Sequence, residues 1–173
     1  MLSVHLTCLV ICVPFIDRSL RLPLLLALLM VVAFVISRCV ADRDLGYRNF
    51  GDNCGICHHG GTGQAGETPQ LFGRVDLIAK TPEGKRYLID VLLNGLNGPI
   101  TASGQSYNYS MPSFRRLDDA TIAQILSYAS AHGQTHPAPV FTAAEVANAR
   151  HESMPSWKVH DLRDKLAATT PLP

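Results

Sequence analysis

The sequence predicts an all-α domain behind an apolar leader, and three observations carry that expectation. Apolar residues recur at helical spacing in several separate segments, and those segments carry recognisable cap residues at their ends. No segment shows the strict alternation of a half-buried strand, so no β-strand is required anywhere.

At 173 residues the chain is long enough for one domain with a real core and short for two. Its N-terminal quarter is of a different kind. Val4–Ile16 and Leu22–Ser37 are apolar runs separated by "DRSLR", and Leu22–Ile36 contains no charge. Each falls short of the roughly 18–20 residues that cross a bilayer comfortably. Arg18 and Arg21 before the second run, with "SRCVAD" after it, read as an export signal cleaved after Ala41. An uncleaved membrane anchor and an over-extended start are the other readings. Cys39 invites a lipoprotein reading, against which Arg38 stands where a small residue is expected. The expected organisation is therefore residues 1–41 as signal peptide or anchor, 42–140 as the main domain and 141–173 as a helical tail.

The leader holds Arg18, Arg21, Arg38 and Asp17, which leaves residues 42–173 with 12 of the chain's 15 basic and 13 of its 14 acidic residues. A near-neutral domain lacks the basic excess of a nucleic-acid binder. The leader also takes Cys8, Cys12 and Cys39, so Cys54 and Cys57 are the only cysteines of the exported part. Such a pair would ordinarily suggest a disulfide, but the spacing points elsewhere.

"NCGICHHGG" contains Cys54-Gly55-Ile56-Cys57-His58, the C-x-x-C-H pattern of covalent c-type haem attachment. Residues three and four apart share a helical face, so both thiols can reach the vinyl groups while the His58 imidazole meets the iron. A zinc site would need two more Cys or His ligands at metal spacing. A thioredoxin-like pair would need a βαβ setting.

Helical signals surround this motif. Gly46, Phe50 and Cys54 fall at intervals of four upstream. "TPEGKRYLIDVLLNG" predicts a helix with Thr81 as N-cap, Pro82 at the first position, Leu88, Val91 and Leu92 on one face, and Gly95 as the stop. "LDDATIAQILSYASAHG" predicts another, with Asp118 or Asp119 as N-cap, Ile122, Ile125, Leu126 and Ala129 on its apolar face, and Gly133 past its end. Thr142 and Glu145 form a capping box in the tail. "SWKVHDLRDKL" reads either as a last helix placing Trp157 on the core or as a partner-docking element.

Taken together, these motifs resemble a class I c-type cytochrome, over roughly Gly46 to Arg150. The resemblance implies three to four core helices around one covalently bound haem c and its iron, plus a C-terminal helical extension. It implies that Gly46 and Phe50 cross Ile125 and Tyr128. In "TPQLFGR" it makes Pro69 the residue whose carbonyl accepts a hydrogen bond from the ligand imidazole, a contact that fixes the ring. "GPITASGQSYNYSMPSFRRLDDATIAQILSY" is similar to a stretch of monohaem domains that serve membrane-bound dehydrogenases and terminal oxidases. There the Met of Met-Pro is the distal ligand, which makes Met111 the candidate here, with Tyr107 and Asn108 lining the haem pocket. A thioether ligand favours reduced iron.

Met154 repeats the Ser-Met-Pro-Ser-aromatic word of Met111, but in the tail. It is the rival distal ligand, together with His59, His132, His136, His151 and His160. Arg115 and Arg116 read as docking or propionate-pairing residues, or as a solvated helix start. The expected function is electron carriage rather than catalysis: a periplasmic monohaem cytochrome, free or anchored to the cytoplasmic membrane, passing single electrons between redox proteins such as a membrane-bound dehydrogenase or terminal oxidase. The alternatives are a dedicated subunit of such a complex, and a haem enzyme or gas sensor with a labile distal ligand.

Overall fold

In a computed structural model the described residues are 18–170 and 172–173. The chain divides into two compact units, Met1–Ala41 and Asp42–Pro173. Helix α1 spans Arg18–Phe50 and includes the uncharged run and the expected cleavage point. Its described side chains from Leu22 to Phe34 are exposed. Among the described residues, no helix is long and apolar enough to cross a membrane. The first apolar run, Val4–Ile16, lies outside the described residues.

The second unit is helical, as expected. After α1 a π-helical turn, Gly51–Gly55, carries Cys54, and a short 3-10 turn covers His59–Gly61. Three core helices follow, α2 (Val75–Ile78), α3 (Pro82–Asn94) and α4 (Asp119–Ala131), and the tail adds α5 (Ala143–Arg150) and α6 (Ser156–Thr169). The caps explain the boundaries. Thr81 Oγ1 accepts from Gly84 N at 3.0 Å to start α3, and Asp118 Oδ1 accepts from Thr121 N at 2.7 Å to start α4. The Thr142/Glu145 capping box starts α5.

The periodic positions are the buried ones. Leu88, Val91 and Leu92 of α3 and Ile122, Ile125, Leu126 and Ala129 of α4 all belong to one core cluster with Phe50 and Cys54. Gly46 lets α1 cross α4 closely: a Cβ there would stand 3.0 Å from Tyr128 Cβ and 3.2 Å from Gln124 O. Phe50 packs on the Tyr128 ring at 5.2 Å. The crossing predicted for Gly46 and Phe50 with the Ile125/Tyr128 helix is therefore present.

Two expectations are corrected. A small antiparallel hairpin exists, β1 (Ile100–Ala102) with β2 (Gln105–Tyr107). Three-residue strands are too short to leave an alternating pattern in the sequence. In the tail, Trp157 is 58% exposed, and α6 packs on the core through Val159, Leu162 and Leu166 instead. Val159, Leu162 and Leu166 lie three and four apart on one face, which leaves Trp157 off it.

Candidate functional site

The C-x-x-C-H motif sits where the α1 helix ends. The π-helical turn replaces the regular helix that the Gly46/Phe50/Cys54 spacing implies, and it brings Cys54 into the core at 6% exposure while Cys57 stays exposed. His58 N closes the turn on Cys54 O at 2.9 Å, and the His58 ring is 7% exposed. The chain then doubles back: Gly61 and Gly63 N–H groups donate to His58 O, and Leu71 N donates to Gly61 O. Gly61 requires its lack of side chain, because its φ is 103° and a Cβ would meet Phe72 Cζ at 2.5 Å. Thr68 Oγ1 donates to Cys57 O at 2.8 Å, which ties the returning strand of the loop to the motif.

That return places the Pro69 carbonyl 2.9 Å from His58 Nδ1. A carbonyl only accepts, so Nδ1 carries the proton and the Nε2 lone pair is free. Burial pushes the His58 pKa down, opposed by the hydrogen bond to Pro69 and aided by the charges of Arg74 and His59. The ring is a neutral imidazole of fixed orientation, the form a metal ion binds. Burial, with a smaller contribution from Cys57, pushes the Cys54 thiol up to about 11. Both cysteines are free rather than bridged. Two unpaired thiols and a neutral, oriented imidazole are the donor set that covalent haem attachment needs. No group of three or more His, Cys, Asp or Glu among the described residues is placed to hold a metal ion, so the zinc reading finds no further ligands.

Met111 is positioned by backbone. Leu96 N donates to Met111 O at 3.0 Å and Met111 N to Leu96 O at 2.8 Å, a single antiparallel bridge just after α3. Ser113 Oγ and Phe114 N donate to Leu93 O and Leu92 O at 2.6 and 2.7 Å, fastening the rest of the Met-Pro loop to the end of α3. Tyr107 is buried at the end of β2, whereas Asn108 and Tyr109 are exposed.

The rivals have other engagements. Met154 packs half-buried against the core, with its N–H on Asn94 Oδ1 at 3.3 Å. His132 stacks on Phe72 at 4.3 Å and donates from Nδ1 to Tyr128 O. His160 Nε2 donates to Pro99 O at 2.7 Å. His59, His136 and His151 are exposed. Arg115 is structural: it donates to Arg150 O, Asn94 Oδ1 and Glu152 O, and Arg150 donates in return to Arg115 O and Leu117 O. Arg116 is exposed, donating to Asn53 Oδ1 at 3.1 Å and lying over the Phe114 ring at 5.6 Å.

Sequence reasoning missed the part played by Leu96, whose hold on Met111 is a pair of backbone hydrogen bonds and has no side-chain signal. It also passed over Arg74, directly after the Pro-x-Leu-x-Gly segment, which is 6% exposed and whose charge reaches His58.

A helical fold closed by the α1–α4 crossing, around a buried His58 beside two free thiols, defines a class I c-type cytochrome with covalently bound haem c. Residues 41–128 match the family model for cytochrome c oxidase, cbb3-type, subunit III, and the chain belongs to that family. Cytochrome c-552 of Thermus thermophilus is 39% identical over 118 residues, covering 65% of this chain and 90% of the relative. A second cytochrome c-552 from the same species is likewise 39% identical over 118 residues, covering 65% of this chain and 80% of the relative. The function of the family is haem-based electron transfer, and its cytochrome c domains are generally extracytoplasmic.

Proposed function

We propose that this chain is a periplasmic monohaem cytochrome that takes one electron from a redox protein and gives it to another. Cys54 and Cys57 are the thioether anchors, His58 the proximal ligand and Met111 the distal one. The single observation that carries the reading is the His58 Nδ1 to Pro69 carbonyl bond, which leaves Nε2 free and aimed by a fixed ring. Haem c supplies the one-electron change between ferric and ferrous iron. The protein's part is to hold that group still. His58 is held by Pro69, and the Met111 loop by Leu96, Leu92 and Leu93. Tyr107, buried at the end of β2, and Asn108, exposed next to it, would border the haem pocket.

Residues 1–41 serve as the export signal or anchor, 42–140 as the electron-transfer domain and 141–173 as the tail. Attachment to the cytoplasmic membrane would come through the N-terminal segment; N-terminal sequencing of the purified protein decides between cleavage after Ala41 and a retained leader. The description of the matching family favours one particular version, a haem subunit serving a terminal oxidase. Electron-transfer encounters use small transient interfaces, so stable co-purification with an oxidase would select the subunit over the free carrier. A dehydrogenase is the other partner class that this chemistry suits.

Met111→Ala should abolish the far-red charge-transfer band of a Met–haem bond and lower the reduction potential, while Met154→Ala leaves both unchanged. The reverse result overturns the ligand assignment. Rapid carbon monoxide binding by the reduced wild type would select a sensor or enzyme instead of a closed electron carrier.

A further inference from the structure

The stretch that follows α4 grips the segment that orients His58, and a buried aspartate makes the grip. Asp76, in the single turn of α2, is 0% exposed. Its Oδ2 accepts three hydrogen bonds from two adjacent residues: Gln134 N and Thr135 N donate at 3.1 Å each, and Thr135 Oγ1 donates at 2.7 Å. Its Oδ1 meets no donor among the described residues. Burying a carboxylate costs free energy unless donors meet it, so these bonds hold the group in place. Gly133 makes the approach possible. A Cβ there would stand 1.9 Å from Asp76 Cγ, yet the residue lacks the positive φ that Gly60, Gly61 and Gly63 have. Glycine at 133 therefore answers to space, not to backbone conformation. Beside it the His132 ring stacks on Phe72 at 4.3 Å, with 18° between the planes.

The grip is continuous with the proximal ligand. Helix α2 is one turn long, too short to keep its place by its own hydrogen bonds. Arg74 N and Val75 N donate to Leu71 O at 3.1 and 3.0 Å, which ties the start of that turn to the Pro69–Gly73 segment. Leu71 N and Phe72 N donate to Gly61 O at 2.9 and 3.1 Å, and the Phe72 ring fills the space a Gly61 Cβ would need. At the head of the same segment the Pro69 carbonyl accepts from His58 Nδ1 at 2.9 Å. Val75 and Ile78 pack α2 into the core, but apolar burial is non-directional. The Asp76 carboxylate, with three donors on one oxygen, is what gives the turn a fixed register.

We propose that Asp76 is a positioning residue for the haem ligand: latched to Gln134 and Thr135 over Gly133, it sets the register of α2 and through it the strength of the Pro69–His58 hydrogen bond. This rests on the haem reading of Cys54, Cys57 and His58. It deepens that reading, because a hydrogen bond at Nδ1 raises the basicity of a ligand imidazole, and a more basic imidazole stabilises ferric iron. The latching residues 133–135 lie beyond the matched segment 41–128.

The test uses the full-length haem-loaded protein in its ferrous state, with the His58 Nδ1 proton followed by NMR. In Asp76→Ala that proton should exchange with solvent about tenfold faster, the factor that a lost hydrogen bond to a buried carboxylate carries, and the reduction potential should rise. Asp76→Asn keeps an acceptor at the Oδ2 position and places its amide nitrogen where Oδ1 meets no donor, so it should hold both measurements near wild type. A potential that shifts alike in Asp76→Ala and Asp76→Asn overturns the latch in favour of a direct effect of the charge. Gly133→Ala leaves Asp76 in the chain but drives a Cβ into its carboxylate, and should reproduce the Asp76→Ala result; wild-type exchange in Gly133→Ala overturns the proposal. Val146→Ala, a truncation at a fully buried site in α5, is the control for stability alone. Equal exchange in Val146→Ala at a matched loss of melting temperature also overturns it. Should Asp76→Ala not accumulate, Thr135→Val, which deletes the 2.7 Å donor, decides on the same terms. A wild type without covalent haem overturns the underlying haem reading as well, whereas a haem-loaded Asp76→Ala with unchanged exchange overturns the positioning role alone.

Discussion

Gly95 shows how a single position governs a site it does not enter. Its φ is 77° with ψ 179°, a conformation that is essentially glycine-only, and a Cβ there would stand 2.6 Å from Met111 O. Gly95→Ala should cost roughly 2–4 kcal/mol from backbone strain and overlap together. Because the overlap falls on the Met111 carbonyl, the variant should also weaken or lose the far-red band, measurable beside a thermal melt. A destabilised protein with an intact band would show that the loop moves without its methionine. At this scale the sequence gives a signal where a motif fixes the spacing of the candidate side chains. Cys54, Cys57 and His58 announce themselves by spacing, and Pro69 by its segment; its hydrogen bond to His58 is present. Leu96 holds Met111 through backbone amides and oxygens, which no residue type encodes, and the Arg115 and Arg150 guanidinium groups bond to backbone oxygens that leave no mark in the sequence.

The helices were legible because their ends were written beside their faces. Asp118 illustrates this, since the aspartate that begins α4 also titrates in a way that reports on the cap. Its pKa lies below the ordinary 3.8, chiefly through the hydrogen bond from Thr121 N. A carboxyl depressed on folding contributes stability that is fully present above 3.8 and is lost as pH falls through the lower folded value. Asp118→Ala should therefore cost about 1 kcal/mol near neutral pH. The gap between variant and wild type should close in acid below that window, as paired denaturant melts would show. A gap independent of pH would mean the cap works through something other than the carboxylate. The hairpin escaped notice for a related reason: strands of three residues carry too few alternating positions, and their register is set by the turn at Ser103 and Gly104, both at positive φ. Trp157 misled because a lone large aromatic suggests burial, whereas the face that α6 buries is set by the spacing of Val159, Leu162 and Leu166.

For the whole molecule, charge balance carries a kinetic consequence. With 12 basic and 13 acidic residues in 42–173, the domain projects little long-range field. The bimolecular rate of electron exchange with a neutral redox partner should change by less than about threefold between roughly 10 and 200 mM ionic strength. A steep fall in stopped-flow rates would reveal a concentrated docking patch. Composition made this readable in advance. The way the tail engages the rest of the domain was not readable, because it depends on which distant oxygens the arginines of the tail find.

The reciprocal Arg115–Arg150 clasp has a dynamic meaning. Each guanidinium donates to the other residue's carbonyl, at 2.9 and 2.7 Å, so the end of α5 and the segment leaving Met111 are knotted at one point. Local opening proceeds in cooperative units rather than residue by residue. Undocking of the tail and release of the Met111 loop then belong to one opening event. The lifetime of the methionine's place is in that sense the lifetime of the tail's.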